Sequence, residues 1–205
     1  MVAGLLLAAG GGRRLGGRPK ALLPYRGRTL VEHAAGALRA GGCGPVHVVL
    51  GAGAGRVRAG TGLPGLAGCV LVDNPGWAGG MGSSLRAGLE SLAGTGADAA
   101  LVLLVDQPGI GAAAVSRVRA AYGSRDALAA ASYAGERGHP VLIGAHRWPA
   151  VARSAAGDRG ARAYLNGHAS SLVLVECGDV AEPYDIDTPE DLERLERGAP
   201  GTGEP

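Results

Sequence analysis

The chain is poor in several residue types, and each shortage excludes something. Among 205 residues there is no phenylalanine, and five tyrosines and two tryptophans hold aromatics to 3%. With so few stacking platforms and a net charge of only +2, evenly spread, a nucleic-acid surface is excluded. No apolar run approaches the roughly 18 residues that a membrane-spanning helix requires, so no membrane partner is expected. The cysteines, Cys43, Cys69 and Cys177, are odd in number and far apart. They match neither a zinc-ligand pattern nor a disulfide framework, and read as small buried hydrophobes of a reduced, cytoplasmic protein. The apolar start, residues 1–9, is followed rather than preceded by arginines, the wrong order for a signal peptide.

Other shortages are informative through what survives. Lys20 is the only lysine among 20 basic residues, Gln107 the only glutamine, Met81 the only internal methionine, and Asn74 one of two asparagines. In a chain that avoids these types, their positions mark chemical need. Glycine and proline, 38 and 12 residues, are abundant, but 46% of the chain is hydrophobic and recurs in ordered blocks, so a packed core is expected.

Strand-like runs are expected at 2–9, 46–50, 69–73, 99–105, 127–133, 139–143 and 172–176, the last read as a core strand. Helices are expected at 29–40, with Thr29 and Glu32 spaced as a capping box, near 56–59, from a cap at Ser83 or Ser84 to about residue 92, and at 112–122, 148–155, 158–165 and 189–197, the last capped by Thr188. A turn over 134–138 joins two strands too closely for a crossover helix, so that pair is antiparallel. The alternation gives an α/β fold with a mostly parallel sheet and one antiparallel insertion, as a single domain over 1–197. The Gly/Pro-rich tail, 198–205, is expected to be disordered.

In such sheets ligands sit beyond the carboxyl ends of the strands, so the loops 10–20, 74–84 and 106–108 should converge on one cleft. The first of these contains Gly10, Gly11, Gly12, Arg14 and Lys20. Its glycines let backbone N–H groups approach phosphate oxygens, and its cations add charge. It is not a Walker A loop, because Pro19 precedes Lys20 and Ala21 follows it, leaving no hydroxyl for magnesium. Nor is it a dinucleotide fingerprint: Leu15 stands where the third glycine belongs, and the second strand ends Leu50-Gly51 without the acid that would hold a ribose.

The run Leu7-Ala8-Ala9-Gly10, Arg14-Leu15-Gly16 and Pro19-Lys20 resembles the nucleotide-binding signature of the MobA/MocA-like nucleotidyltransferases, which include the molybdenum-cofactor guanylyl- and cytidylyltransferases. The pattern continues in order through residues 74–85, Val105-Asp106-Gln107-Pro108, Gly138-His139-Pro140, residues 157–162 and residues 185–192. The resemblance implies a three-layer Rossmann-like fold of the nucleotide-diphospho-sugar transferase type. It implies that Leu7, Ala8, Ala9, Asp73 and the loop through Gly80, Met81, Ser83 and Ser84 bind the nucleotide. Gly10, Gly11, Gly12, Arg14 and Lys20 would hold its triphosphate, and Asp106 and Asp187 its Mg2+. Lys20, Arg14 and Asp106 are thus the catalytic candidates, with His139 and Arg162 facing a small phosphorylated acceptor. Leu-Ala-Ala-Gly in place of Leu-Ala-Gly-Gly, and Pro19 in place of an aspartate, point to CTP rather than GTP.

Chemistry agrees with this assignment. Nucleotidyl transfer is in-line displacement at phosphorus, where alignment and charge neutralisation do most of the catalysis. A magnesium ion that keeps several waters needs only one or two carboxylates, and Asp106 closes the most apolar strand at the rim of the sheet. Two other readings stay open. Actinobacterial relatives that resemble this chain carry the name nicotine blue oxidoreductase, which would imply NAD(P)H chemistry. A non-catalytic cofactor-binding module serving a molybdenum enzyme is the third.

Overall fold

The computed structural model describes residues 1–59 and 63–197; the expected tail, 198–205, lies outside them. In chain order the elements are β1 (Val2–Ala8), β2 (Pro24–Tyr25), β3 (Arg28–Thr29), α1 (Leu30–Ala40), β4 (Val46–Leu50), α2 (Ala54–Arg58), β5 (Val70–Asp73), α3 (Met81–Leu92), β6 (Ala99–Leu104), α4 (Ala112–Arg119), β7 (Leu128–Tyr133), β8 (Glu136–Gly144), α5 (Trp148–Ser154), α6 (Arg162–Gly167), β9 (Val173–Glu176) and α7 (Pro189–Arg197).

Seven strands form one sheet in the order β5-β4-β1-β6-β8-β7-β9. β1 lies inside it, between β4 and β6 and parallel to both, and β8 alone runs against both its neighbours. The fold is therefore α/β with a mostly parallel sheet and one antiparallel insertion. Alternation along β1 splits the core in two. Leu6 and Ala8 face α1 and α4, while Leu5 and Leu7 face α3, α5 and α6. Leu5, Leu6, Leu101 and Leu103 are fully buried. Each such side chain contributes about 1.5–3 kcal/mol by leaving water, so the central strands hold the rim of the sheet rigid.

Two helix starts follow their sequence signals. Thr29 Oγ1 accepts from the Glu32 amide at 3.4 Å while Glu32 Oε2 accepts from the Thr29 amide at 3.0 Å. At α7, Thr188 Oγ1 accepts from the Asp191 amide at 3.3 Å, and Asp191 Oδ2 accepts from the amides of Thr188 and Asp187 at 2.8 and 3.0 Å. This reciprocal cap also fixes the backbone of Asp187.

Four expectations are corrected. Neither Ser83 nor Ser84 caps α3: the helix begins at Met81 after Gly80, whose positive φ of 98° makes the turn. The expected helix 158–165 is broken, because Gly160 at φ 50° separates a 3-10 turn, Gly157–Arg159, from α6. The turn before β8 is shorter than 134–138. Ala134 and Gly135, at φ 52° and 85°, close the hairpin in two residues and add Glu136–Gly138 to the strand. Finally, β9 is not a core strand. It pairs only with β7 at the sheet edge, leaving Val173 and Leu174 about half exposed, at 54% and 49%.

Candidate active site

The turn after β1 is shaped by a glycine that no other residue can replace. Gly12 has φ +58°, and a Cβ there would lie 2.1 Å from the Arg18 carbonyl oxygen. The Leu15 and Gly17 amides both donate to the Gly12 carbonyl, at 2.8 and 3.0 Å, and the Lys20 amide donates to the Gly10 carbonyl at 3.4 Å. The loop thus folds back on itself and returns Lys20 beside Gly10. Gly11 makes room for the Trp77 ring, which would stand 2.9 Å from an added Cβ.

Lys20 then reaches across the rim. Its Nζ donates to Asp106 Oδ2 at 2.6 Å and, more closely, to Asp187 Oδ1. These three residues are separated by 86 and 167 positions in sequence, and two tertiary features unite them. Asp106 follows β6, whose next amide, Val105, donates to the Leu7 carbonyl of β1 at 3.1 Å. The segment carrying Asp187 lies against Asp106 because the Ile186 amide donates to the Asp106 carbonyl at 2.9 Å. Lys20 is largely buried, its side chain 11% exposed. Burial pulls its ammonium pKa down, but the Asp106 and Asp187 carboxylates outweigh that and hold it above the ordinary lysine value. Arg14 is peripheral, 77% exposed, with Nη1 4.0 Å from Asp187 Oδ2. Gly12, Arg13, Arg14, Lys20 and Asp187 border a recess of about 200 Å³.

A second recess, about 270 Å³, is bordered by Gly11, Trp77, Gly80, Met81 and Ser84 with Asp158 opposite. Its wall is held by Asn74. The Asn74 amide nitrogen donates to Ser83 Oγ at 2.9 Å and Ser84 Oγ at 3.0 Å, while its oxygen accepts from the Gly76 amide at 3.0 Å. The two serines therefore brace the loop, which is why they stand inside α3 rather than at its cap.

A third, larger cleft of about 430 Å³ lies on the α3/α6 side of the sheet. Its floor is apolar, with Leu7, Leu104 and Val141, and Arg137, His139, Arg159 and Arg162 line its wall. At its other end the Gln107 amide nitrogen donates to Asp185 Oδ1 at 2.8 Å, and Gln107 Oε1 is buried without a protein partner among the described residues. Burial raises the Asp185 carboxyl above the ordinary range, and the nearby Asp106 and Asp187 charges add to the effect although the Gln107 bond opposes it. Burial lowers His139 to about 4; Arg137 and Arg162 push the same way, and Asp106 opposes them. The cleft thus presents cationic guanidinium groups beside an uncharged imidazole at neutral pH.

The structure brings together nearly all the residues expected to act. Lys20, Asp106 and Asp187 meet at one point, with Gly10, Gly11, Gly12 and Arg14 in the adjoining turn. Gly80, Met81 and Ser84 line the neighbouring recess, Leu7 the large cleft, and His139 and Arg162 its wall. Ala8 and Ala9 are buried at the end of β1, where the Ala9 carbonyl accepts from the Ala52 amide at 3.1 Å. Asp73 stands apart. Its Oδ1 accepts from Arg58 Nε at 3.0 Å, and it borders none of the three cavities. Sequence reasoning missed Arg137, although the strand period places it on the same face as His139 and Val141.

A divalent cation suits the acidic pair. Among the described residues no three His, Cys, Asp or Glu side chains form a metal cluster. Yet Asp106 and Asp187 aim one oxygen each at a single positive centre. That donor set is adequate for a magnesium-type ion, which retains waters and takes further oxygens from substrate phosphates.

A mostly parallel sheet whose first strand ends in a glycine turn, with a lysine and two acids at the rim, defines a Rossmann-like nucleotidyltransferase architecture. The chain belongs to the family of the MobA-like NTP transferase domain, which it matches over residues 4–172. It is 45% identical over 204 residues to a Paenarthrobacter nicotinovorans protein named nicotine blue oxidoreductase, covering 95% of this chain and 96% of that one. It is 34% identical over 199 residues to the molybdenum cofactor guanylyltransferase of Rhodobacter capsulatus, covering 95% of each. The fold superposes on Rv0371C of Mycobacterium tuberculosis, solved as a complex with manganese, with a TM-score of 0.75 and 27% identity, over 96% of this chain and 98% of that one.

Proposed function

We propose that this nucleotidyltransferase transfers CMP from CTP to a phosphorylated small acceptor of the molybdopterin type, releasing pyrophosphate. The observation that carries the reading is the meeting of Lys20, Asp106 and Asp187 beside the Gly10–Gly12 turn. In this reading the turn's backbone N–H groups and Arg14 hold the triphosphate, and the recess beside Trp77 and Met81 receives the nucleoside. Asp106 and Asp187 hold Mg2+, which when bound neutralises charge growing on the phosphates. An acceptor phosphate oxygen attacks the α-phosphorus in line. The α–β bridging P–O bond breaks, and its electron pair leaves with pyrophosphate. A phosphate acceptor is already ionised at neutral pH, so the step requires no general base, in keeping with a neutral His139 acting as a positioning contact. Arg137, Arg159 and Arg162 fix the acceptor's anionic end while its body lies on the apolar floor. The three free cysteines fit a reducing, cytoplasmic setting, and a product cofactor would be delivered to a molybdenum enzyme.

The test is a thermal-shift screen of the four NTPs with Mg2+, followed by pyrophosphate release with a molybdopterin acceptor. CTP should stabilise most, and Asp106→Asn should abolish release while the protein stays folded. Stabilisation by no NTP, or undiminished release from Asp106→Asn, refutes the reading.

The name of the 45% identical relative favours a second reading, an NAD(P)H-dependent oxidoreductase. Against it stand the broken glycine fingerprint and the end of β4 at Leu50-Gly51, which offers no acid to a ribose. Flavin absorbance in the purified protein, or dye-dependent NAD(P)H oxidation, would decide for it.

A further inference from the structure

The point where Lys20 Nζ sits is the point a divalent cation needs. Nζ lies 2.6 Å from Asp106 Oδ2 and closer still to Asp187 Oδ1. An ion bridging the same two oxygens at about 2.1 Å would have to occupy the space the ammonium fills. Two cations cannot share that space, so entry of the ion and departure of the ammonium are one event.

The backbone allows that departure. The Lys20 amide is tied to the Gly10 carbonyl at 3.4 Å, and its own carbonyl accepts from the Leu23 amide at 3.1 Å. Its Cα therefore stays beside the glycine turn, while the rotatable bonds of the four-carbon stem give the charge a path from the carboxylates toward that turn. Arg14 does not substitute for it, being 77% exposed and 4.0 Å from Asp187.

We infer that Lys20 is a built-in counter-ion that closes the Asp106–Asp187 pair to divalent cations until a nucleoside triphosphate draws its ammonium onto the phosphates. The inference rests on the proposed nucleotide and metal reading and adds an order to it: metal binds with nucleotide, not before it. By linkage the effect is reciprocal, so nucleotide and metal each tighten the other.

The experiment is Mn2+ titration, followed by the electron paramagnetic resonance of the free ion. It compares wild type with Lys20→Met, each alone and with an analogue of CTP whose α–β bridge is methylene. Without nucleotide, Lys20→Met should bind Mn2+ at least about tenfold more tightly than wild type. The analogue should tighten Mn2+ binding to wild type by about 5- to 150-fold, the usual range of such couplings, and tighten the variant's much less. Equal nucleotide-free affinities, or a wild-type affinity indifferent to the analogue, overturn the gate and leave the metal site standing. No Mn2+ binding by either protein under any condition overturns the metal assignment and the gate with it. Should Lys20→Met not fold, Lys20→Gln, which keeps a polar end without the charge, takes its place in the same Mn2+ titrations, with the same results expected and the same results overturning the gate.

Discussion

His139 should make the protein acid-sensitive well above the pH at which carboxylates protonate. Its folded-state pKa is about 4, against 6.5 for the free side chain, because burial and two neighbouring arginines disfavour the imidazolium. Between those values the unfolded chain binds a proton that the folded chain refuses, so stability falls as pH drops through that window and levels off below it. Integrated from neutral pH, this loss is about 2 kcal/mol near pH 5 and about 3 kcal/mol in full. His139→Gln removes the linkage. The fold should tolerate it, because the bond at this position, Tyr133 Oη donating to the His139 carbonyl at 2.6 Å, uses the backbone. Urea denaturation of both proteins near pH 8 and near pH 5 measures the effect. The wild type should lose about 2 kcal/mol more than the variant between the two conditions. His33 and His47, also held below the ordinary histidine value by burial, are present in both proteins and cancel. Equal losses would show that His139 titrates normally and that the wall of the large cleft is not as described.

Other outcomes follow from the same geometry. Asn74→Ala leaves Ser83, Ser84 and the Gly76 amide without their shared partner; it should cost about 1–3 kcal/mol in chemical denaturation and weaken nucleotide binding. Gly12→Ala forces a Cβ to within 2.1 Å of the Arg18 carbonyl oxygen; calorimetric titration should find nucleotide affinity lost while circular dichroism remains that of a folded protein. Arg162→Ala should raise the acceptor KM and leave the nucleotide-induced thermal shift intact, because Arg162 lines only the large cleft. The stability that the Lys20 ion pairs contribute should be complete below the unfolded lysine pKa of about 10.4 and lost as pH rises through the higher folded value. An alkaline melting series of wild type against Lys20→Met reads that loss.

The central sheet was legible because its strands are buried on both faces and so appear as unbroken apolar runs, as in residues 2–8 and 99–104. Edge strand β9 has the same composition, and a sequence does not say which strand stands last in the order. The capping box at Thr29 and the cap at Thr188 were legible because their partners lie three residues away. Ser83 and Ser84 misled for the converse reason: their partner, Asn74, lies in another loop, and the chain enters α3 at Gly80 with no side-chain cap. The large cleft was the least visible feature. Arg137, Gln107 and Asp185 come to line one cleft only when β8 and the segment leading to α7 fold onto the same rim; Gln107 drew notice by its rarity and Asp185 as part of the 185–192 pattern, whereas Arg137 did not. The family resemblance implied that Lys20, Asp106 and Asp187 belong to one site, but the direct ammonium–carboxylate contact required tertiary structure.

The most direct test of the account is crystallographic: a wild-type crystal grown with Mn2+ and the methylene CTP analogue, with anomalous scattering recorded at the manganese edge. The expected map has a peak bridging Asp106 and Asp187, the triphosphate on the Gly10–Gly12 turn, and the Lys20 ammonium turned onto phosphate. Manganese bound away from both aspartates, or a nucleotide lodged outside that turn, would contradict it.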